Sequence, residues 1–495
     1  MIQHGELYLR DMVPPRSKHY EKGKFGRLFP TLPPFAMDNE EVRKALLELG
    51  KPGGIMDALD PPPNPSSPDN PAIPAGFTFL GQFLDHDLTF DPTSSLDRQN
   101  DPESIENFRT PAFELDSVYG SGKAASPHFY DKTGQRNKLL IDAVAPKDLP
   151  RNSQDVAIIG DPRNDENLMV SQLHLAFIKF HNAVVDKLEL EKNKNRDVFA
   201  EAQRLVRWHY QWMILHEFLP LTVGQEVVDD ILDDNPAWRY EKSQAGSKAK
   251  MDKGDKDDRR KGRLYYDWRN QPFIPVEFSV AAYRFGHSQI RPGYRANANL
   301  AAPIFLPPTV PPNPNPADLS GGRRGPDRFV EWTNFFVTGN NPPNTPLKSK
   351  RIDTKLSTPL FNLPFTGPNL PTNPSSLAQR NLLRHLTFSL PSGQSVARAM
   401  CIEELKPDDL SDIAKLGVGF EKHTPLWFYI LREAEKLGKG ERLGPMGGRI
   451  VAEVFIGVME GDRQSYIRQD PFWVPTFGKE GKFGIADLLK FAGVV

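Results

Sequence analysis

The chain is nearly without cysteine. Cys401 is the single one in 495 residues, so an intrachain disulfide is impossible and a cysteine-built metal centre is not expected. It also lacks an apolar run long enough to cross a bilayer. No Asn-x-Ser/Thr acceptor occurs with x other than proline. The first twenty residues, MIQHGELYLRDMVPPRSKHY, hold no apolar stretch of the kind a secretory leader needs. Surplus charge is missing as well. A net charge of -1 and a pI of about 6.9 give no bulk attraction for nucleic acid. These absences together lead us to expect a soluble protein of a reducing compartment, either cytoplasmic or exported without a cleavable signal peptide.

Proline, in contrast, is plentiful, with 47 residues. They cluster at 61–74, 303–316 and 342–374, where interleaved apolar residues predict long, surface-hugging loops. Residues 241–263 are rich in Lys, Asp, Gly and Ser and nearly devoid of apolar side chains. They read as a mobile, solvated insertion, and the Asp residues among the Lys argue against a phosphate patch. No internal repeat is visible. The length suits one very large domain or two to three ordinary ones.

The most informative stretch is GFTFLGQFLDHDLTF, Gly76 to Phe90. Leu80, Phe83, Leu84 and Leu88 recur at helical spacing, which predicts an amphipathic helix. Gln82 and His86 lie four residues apart on one face, and His86 is flanked by Asp85 and Asp87. Beyond it, TPAFELDSVYGS places the oxygen-bearing Thr110, Glu114 and Asp116 in one short loop. With Asp87 these are the groups a hard cation such as calcium prefers. A polar run, GDPRNDEN at 160–167, leads into a long apolar helix over 168–188, with Asn164 or Asp165 as its cap. A further helix-like run covers 198–224. VAAYRFGHSQI at 280–290 sets His287 in a helix with Phe278, Ala281, Ala282 and Phe285 as its stripe. LAQRNLLRHLTFSL at 377–390 and RIVAEVFIGVMEGD at 449–462 are two more.

Five of these segments, in this order, resemble the animal-type haem peroxidases, the superfamily of myeloperoxidase and, more distantly, the cyclooxygenases. The likeness extends from the first helix to about Asp462. The single cysteine and missing glycosylation sites look more like the family's bacterial members. The resemblance implies a mainly α fold: a single large helical domain over 1–495, with long Pro-rich loops and few short strands. It implies haem b as cofactor. His287, in Tyr-Arg-Phe-Gly-His, falls on the proximal iron ligand, with Asn381 accepting its other ring N–H. Arg284 and Arg384 fall on propionate partners. His86 falls on the distal histidine, and Arg163, in Gly-Asp-x-Arg-x-x-Glu, on the distal arginine. Asp85 and Glu166 match the carboxylates that form ester links to haem. A methionine that makes a third link in myeloperoxidase is replaced by Asn167, so at most two links are expected. The calcium ligands carry over as Asp87, Thr110, the Ala112 carbonyl, Glu114 and Asp116. His174, His181, His209 and His216 read as packing or hydrogen-bonding residues.

The function so implied is reduction of hydrogen peroxide with oxidation of a halide, pseudohalide or small phenolic donor. One neutral imidazole at His86 would serve as base and then acid, a guanidinium at Arg163 would stabilise the departing oxygen, and Gln82 would hold a halide or water. Nucleic acid and a transmembrane segment are not part of this reading, and the oligomeric state is left open. Two alternatives are weighed. A fatty-acid dioxygenase of the same superfamily carries a radical tyrosine three residues before the proximal histidine. Here that position is Arg284, and Tyr283, four before, is expected to rotate off the helix face. A non-catalytic haem carrier or matrix protein would have no use for a distal acid–base pair.

Overall fold

A computed structural model of the chain describes residues 25–60, 68–89, 107, 109–133, 137–142, 147–191, 197–244, 262–267, 272–306, 317–322, 325–364 and 374–495. Most of the expected insertion at 241–263, and parts of each proline cluster (61–67, 307–316 and 365–373), lie outside the described residues.

The fold is mainly α with few short strands. The helices used below are α1 (Glu40–Leu49), α2 (Gly76–Leu88), α3 (Leu168–Leu190), α4 (Val198–Met213), α5 (Leu377–Thr387), α6 (Leu426–Leu437) and α7 (Pro445–Gly461). Among the described residues the strands form two antiparallel ribbons. One pairs β1 (Asp69–Pro74) with β4 (Lys348–Lys350), and the other pairs β2 (Gly293–Arg295) with β3 (Ala301–Pro303). The buried apolar side chains form one continuous cluster, from Leu28 to Ala492.

Helix α2 is seated by backbone rather than by a side-chain cap. Gly76 donates its N–H to the Phe335 carbonyl (3.0 Å) and Ala75 to that of Leu347 (2.8 Å). A Cβ on Gly76 would stand 2.4 Å from the Phe336 ring, so only glycine lets the two segments approach this closely. Thr89 turns extended and stops the helix, its hydroxyl returning to the Asp85 carbonyl (3.1 Å). The stripe Leu80, Phe83, Leu84 and Leu88 is fully buried. Phe83 stacks on Phe177 of α3, with ring centroids 4.7 Å apart. Stacking of this kind adds about 1 kcal/mol beyond the area buried and fixes α2 against α3.

Helix α3 begins at Leu168. Its cap is Asn167, whose side chain accepts from the Val170 N–H (2.9 Å), not Asn164 or Asp165. Those two have other partners, described below. The 198–224 run is helical throughout, but its winding changes from α to π over Ile214–Phe218 and back to α over Leu219–Val223.

The segment carrying His287 is not a regular α-helix. It is π-helical over Glu277–Ala281 and 3-10 over Ala282–Gln289. Buried Glu277 ties the segment to the start of the described chain, its two carboxylate oxygens accepting from the Leu28 and Phe29 N–H groups (3.0 and 3.1 Å). Helices α2, α5, α6 and α7 all pack around this segment.

Candidate active site

His86 and His287, two hundred residues apart in sequence, line the same cavity of about 280 Å3. Phe77, Phe79, Phe218, Phe285, Ile304 and Phe305 give it apolar walls, and Gln82, Asp85, Arg163, Glu166, Arg284 and Tyr283 bring polar groups to it. Gly286, beside His287, presents bare backbone, with nothing within 4 Å of where a Cβ would stand. A flat group can lie against such a surface.

The α2 side is organised by the turn Pro162–Asp165. Asp161 caps that turn by accepting from the Arg163 N–H (2.9 Å). The same carboxylate holds the Arg163 guanidinium through Nη2 (2.8 Å) and Nε (3.1 Å). Arg163 Nη2 also donates to the carbonyls of Thr89 and His86. Asp161 is fully buried, and its other partner is Arg109 (2.5 Å). Burial alone would raise this carboxyl, but the hydrogen bond and charge of Arg163 hold it well below the usual carboxylate range. The guanidinium that faces the cavity is therefore fixed through four bonds to fixed acceptors.

His86 is buried, with Nδ1 2.7 Å from Asn164 Oδ1. Burial, with Arg163 beside it, pushes its imidazole down to about 3. Gln82 donates to Glu166 Oε2 (3.1 Å) and accepts from Asn167 Nδ2 (3.0 Å), so its amide cannot turn freely. Glu166 keeps accessible surface because it faces the cavity. The neighbouring protein nevertheless desolvates it, and its carboxyl is pushed up to about 7. Asp85 is raised for the same reason, against the charges of Arg163 and Arg284.

On the other side, Asn381 of α5 sits 2.8 Å from His287 Nδ1. The amide nitrogen faces the ring, because Arg284 Nη1 takes Asn381 Oδ1 (3.2 Å). The resemblance implies the reverse orientation, with the oxygen toward the ring. Burial and then Arg284 push His287 down to about 3. Trp427 stands edge-on to His287 at 6.4 Å and donates its indole N–H to the Arg284 carbonyl (3.2 Å). Arg384, on α5, is half-buried and lies off the cavity wall. Tyr283 corrects an expectation. It lines the cavity and donates its hydroxyl to the Gly81 carbonyl (3.0 Å). Residues four apart in an α-helix share a face, as Gln82 and His86 do, so the spacing gave no ground for turning Tyr283 away from the His287 side.

The cation-loop residues lie behind α2. Asp87 is fully buried. Its Oδ2 accepts from Leu115 N–H and Tyr210 hydroxyl (both 3.2 Å), while its Oδ1 has no hydrogen-bond partner. Glu114 Oε1 is likewise buried without one. Burial and Asp116 raise both carboxyls, Glu114 to about 8. Asp116 is ion-paired with Arg109 at 2.7 Å. Thr110 is half-buried and Ala112 buried in the same loop. Orphaned carboxylate oxygens fit a cation there. Among the described residues, however, no three His, Cys, Asp or Glu are grouped closely enough to hold a metal.

Sequence reasoning passed over Asp161, Asn164 and Arg109. Asp161 was open to recognition, since Asp-Pro at the start of a turn is a common cap. Asn164 was read only as a candidate helix cap, and Arg109 gave no local signal. Of the other histidines, His174 and His181 hydrogen-bond as expected, His181 between the Tyr119 hydroxyl (3.0 Å) and the Asn137 carbonyl (2.9 Å).

A family model described as animal haem peroxidase matches residues 96–305. A peroxidasin of Drosophila melanogaster is 22% identical over 401 residues, which is 73% of this chain and 23% of that protein. The chain thus spans about a quarter of the length of that relative. Among solved structures, peroxidase A of Dictyostelium discoideum superposes with a TM-score of 0.63 at 16% identity, covering 99% of this chain and 96% of that one. A fatty acid alpha-dioxygenase of Arabidopsis thaliana gives 0.59 at 14% identity, covering 99% and 82%. With two histidines on one cavity, an arginine fixed beside the first and an asparagine behind the second, these findings converge on the animal-type haem peroxidase superfamily.

Proposed function

We propose that this chain is a haem-dependent peroxidase that reduces hydrogen peroxide and oxidises a halide, pseudohalide or small phenolic donor. The observation that carries this is His86 and Arg163 on the wall of the cavity that His287 also lines. His287 would hold the iron, Arg284 a propionate, and Asp85 and Glu166 would be the candidates for ester links. Haem held there would supply a redox-active metal centre and the electrons needed to cleave the O–O bond. His86 takes the first proton from peroxide and returns it to the departing oxygen. Arg163 lies where negative charge grows on that oxygen, and a fixed donor in such a site lowers a barrier by about 3 kcal/mol. Gln82, clamped by Glu166 and Asn167, keeps one amide hydrogen for a water or halide. Asn167 offers no sulfur for a third link, so bromide, iodide, thiocyanate and organic donors suit this site better than chloride. A calcium ion taken up between Asp87 and the 110–116 loop would tie that loop to the helix carrying His86.

The test is an absorption spectrum of the purified protein before and after one equivalent of peroxide, then after acid–acetone extraction. A Soret band that shifts with peroxide, and returns with a phenol or iodide, is expected. A haem-loaded protein indifferent to peroxide would overturn the reading in favour of a carrier.

A second reading, fatty-acid dioxygenation, draws on Tyr283 in the cavity wall and on the structural likeness to the alpha-dioxygenase. Oxygen uptake with linoleate, in the absence of added peroxide, decides for it.

A further inference from the structure

His86 does not stand alone. Its Nδ1 lies 2.7 Å from Asn164 Oδ1, and the other end of that amide, Nδ2, lies 3.0 Å from His174 Nδ1. Asn164 is fully buried, His174 is 1% exposed and His86 4%, so water cannot substitute for any of these partners. His174 belongs to α3 and packs edge-on against Phe83 of α2 (6.1 Å). Asn164 is held by its own N–H on the Asp161 carbonyl (3.0 Å), within the turn that carries Arg163.

The direction of this chain matters because an amide has two different ends. An oxygen facing His86 Nδ1 accepts a proton there and so leaves Nε2 as a lone pair. An NH2 facing it would force the proton onto Nε2, which would then present only a donor and could take nothing from peroxide. A neutral imidazole acts as a base only through its bare nitrogen. In the structure the oxygen faces His86, and the amide nitrogen finds its acceptor in His174.

We propose that Asn164 and His174 are positioning residues for the peroxide reaction. Asn164 fixes the His86 tautomer with its proton on Nδ1, and His174 fixes which end of the Asn164 amide does so. This rests on the peroxidase reading for its use, not for its existence. As the imidazole becomes cationic during proton transfer, its bond to Asn164 strengthens. A hydrogen bond to a charged group corresponds to about 10- to 100-fold in rate.

The test uses the full chain with 15N-labelled histidine. Long-range proton–nitrogen correlations assign the ring tautomer, and loss of signal in His86→Gln identifies the resonance. The wild type is expected to show Nδ1–H with a bare Nε2. Asn164→Leu should move the proton to Nε2, and Asn164→Asp, which keeps an acceptor, should restore Nδ1–H. His174→Phe should give a mixture, and His174→Gln, which can accept from Nδ2, should restore it. In parallel, the second-order rate of the haem-loaded protein with peroxide should fall about 10- to 100-fold in Asn164→Leu and only a few-fold in Asn164→Asp. The proposal is overturned if wild-type His86 carries its proton on Nε2, or if the leucine and aspartate variants behave alike in both measurements. If the leucine variant does not fold, the two His174 variants decide by the same criteria. A wild type that shows the expected tautomer but ignores peroxide would sink the peroxidase reading and leave this hydrogen-bond chain standing.

Discussion

Replacing Asp161 with asparagine isolates the fixing of Arg163. The side chain is fully buried and meets two guanidiniums, Arg109 at 2.5 Å and Arg163 at 2.8 and 3.1 Å. Asparagine keeps the shape and keeps an oxygen to cap the Arg163 N–H, so the turn should persist. What disappears is the negative charge, and the NH2 group that replaces Oδ2 now faces both Arg109 and Arg163 Nη2. Leaving one partner of a buried pair uncompensated costs about 3 to 5 kcal/mol. The lower end applies here, because Arg109 retains Asp116 at 2.7 Å and the Arg163 side chain is 24% exposed. We therefore expect Asp161→Asn to lower unfolding free energy by about 3 kcal/mol. Arg163 would keep its Nε bond to the amide oxygen and its backbone carbonyl acceptors, but would lose the charged anchor of Nη2 and wander. A donor lost outright from such a site slows chemistry by about 100- to 1000-fold, and one that is merely loosened should fall near 10- to 100-fold. Denaturant unfolding gives the first number, and stopped-flow absorbance on mixing with peroxide gives the second. Raising salt on the wild type should reproduce neither effect, since a buried pair is screened little. A variant that unfolds like the wild type and reacts within twofold of it refutes the argument.

Three other outcomes follow from the same coordinates. His86→Ala should leave haem bound while slowing the peroxide reaction by several orders of magnitude, and His287→Ala should impair haem retention itself; a haem titration and a peroxide rate on each variant show whether the two sides are reversed. Asn167→Met removes both the cap on the Val170 N–H and the clamp on Gln82, so it should cost about 1 kcal/mol of stability while offering the sulfur that a third haem link needs, read by acid–acetone extraction. His209 and His385 are buried neutral and held near 4, burial being the main cause; each accepts backbone N–H through Nε2. Their folded values lie below the unfolded 6.5, so the stability they contribute is present above pH 6.5 and is lost as pH falls toward 4, by on the order of 2 kcal/mol each at pH 5. Thermal unfolding across that range should show a smaller acid loss in His385→Gln than in the wild type.

How much of this was legible depended on the range of the interaction. Helix α2 and its buried stripe follow from local spacing, and so does α3. Residues 160–167 were legible as a polar run, but the caps it suggested, Asn164 or Asp165, were not the one used. Packing decided: Asn164 is drawn to His86, Asp165 pairs with Arg151 at 2.7 Å, and Asn167 is left as the cap. The winding of the 277–289 segment was not legible. The apolar stripe of that segment is compatible with an α-helix, and its tie through Glu277 runs to Leu28 and Phe29, about 250 positions away. Arg109 was invisible for the same reason, since its two carboxylates become neighbours only when the 110–116 loop packs behind α2.

The seven residues from Asp161 to Asn167 are held in a way that suits the proposed peroxide reaction. Asp161 holds Arg163 and Arg109, Asn164 holds His86, Asp165 takes Arg151, Glu166 takes Gln82, and Asn167 holds both Gln82 and the start of α3. Every polar side chain of the run is thus engaged by protein, with partners on α2, at Arg109 and Arg151, at the start of α3 and within the run itself. Charge that appears on an oxygen beside His86 and Arg163 meets dipoles already in place, and the protein need not reorganise to receive it. On the proximal side the corresponding bonds are fewer: Asn381 alone joins His287 to Arg284. Substitutions within 161–167 should therefore fall mainly on the rate with peroxide, and those around His287 and Asn381 mainly on how firmly haem is held.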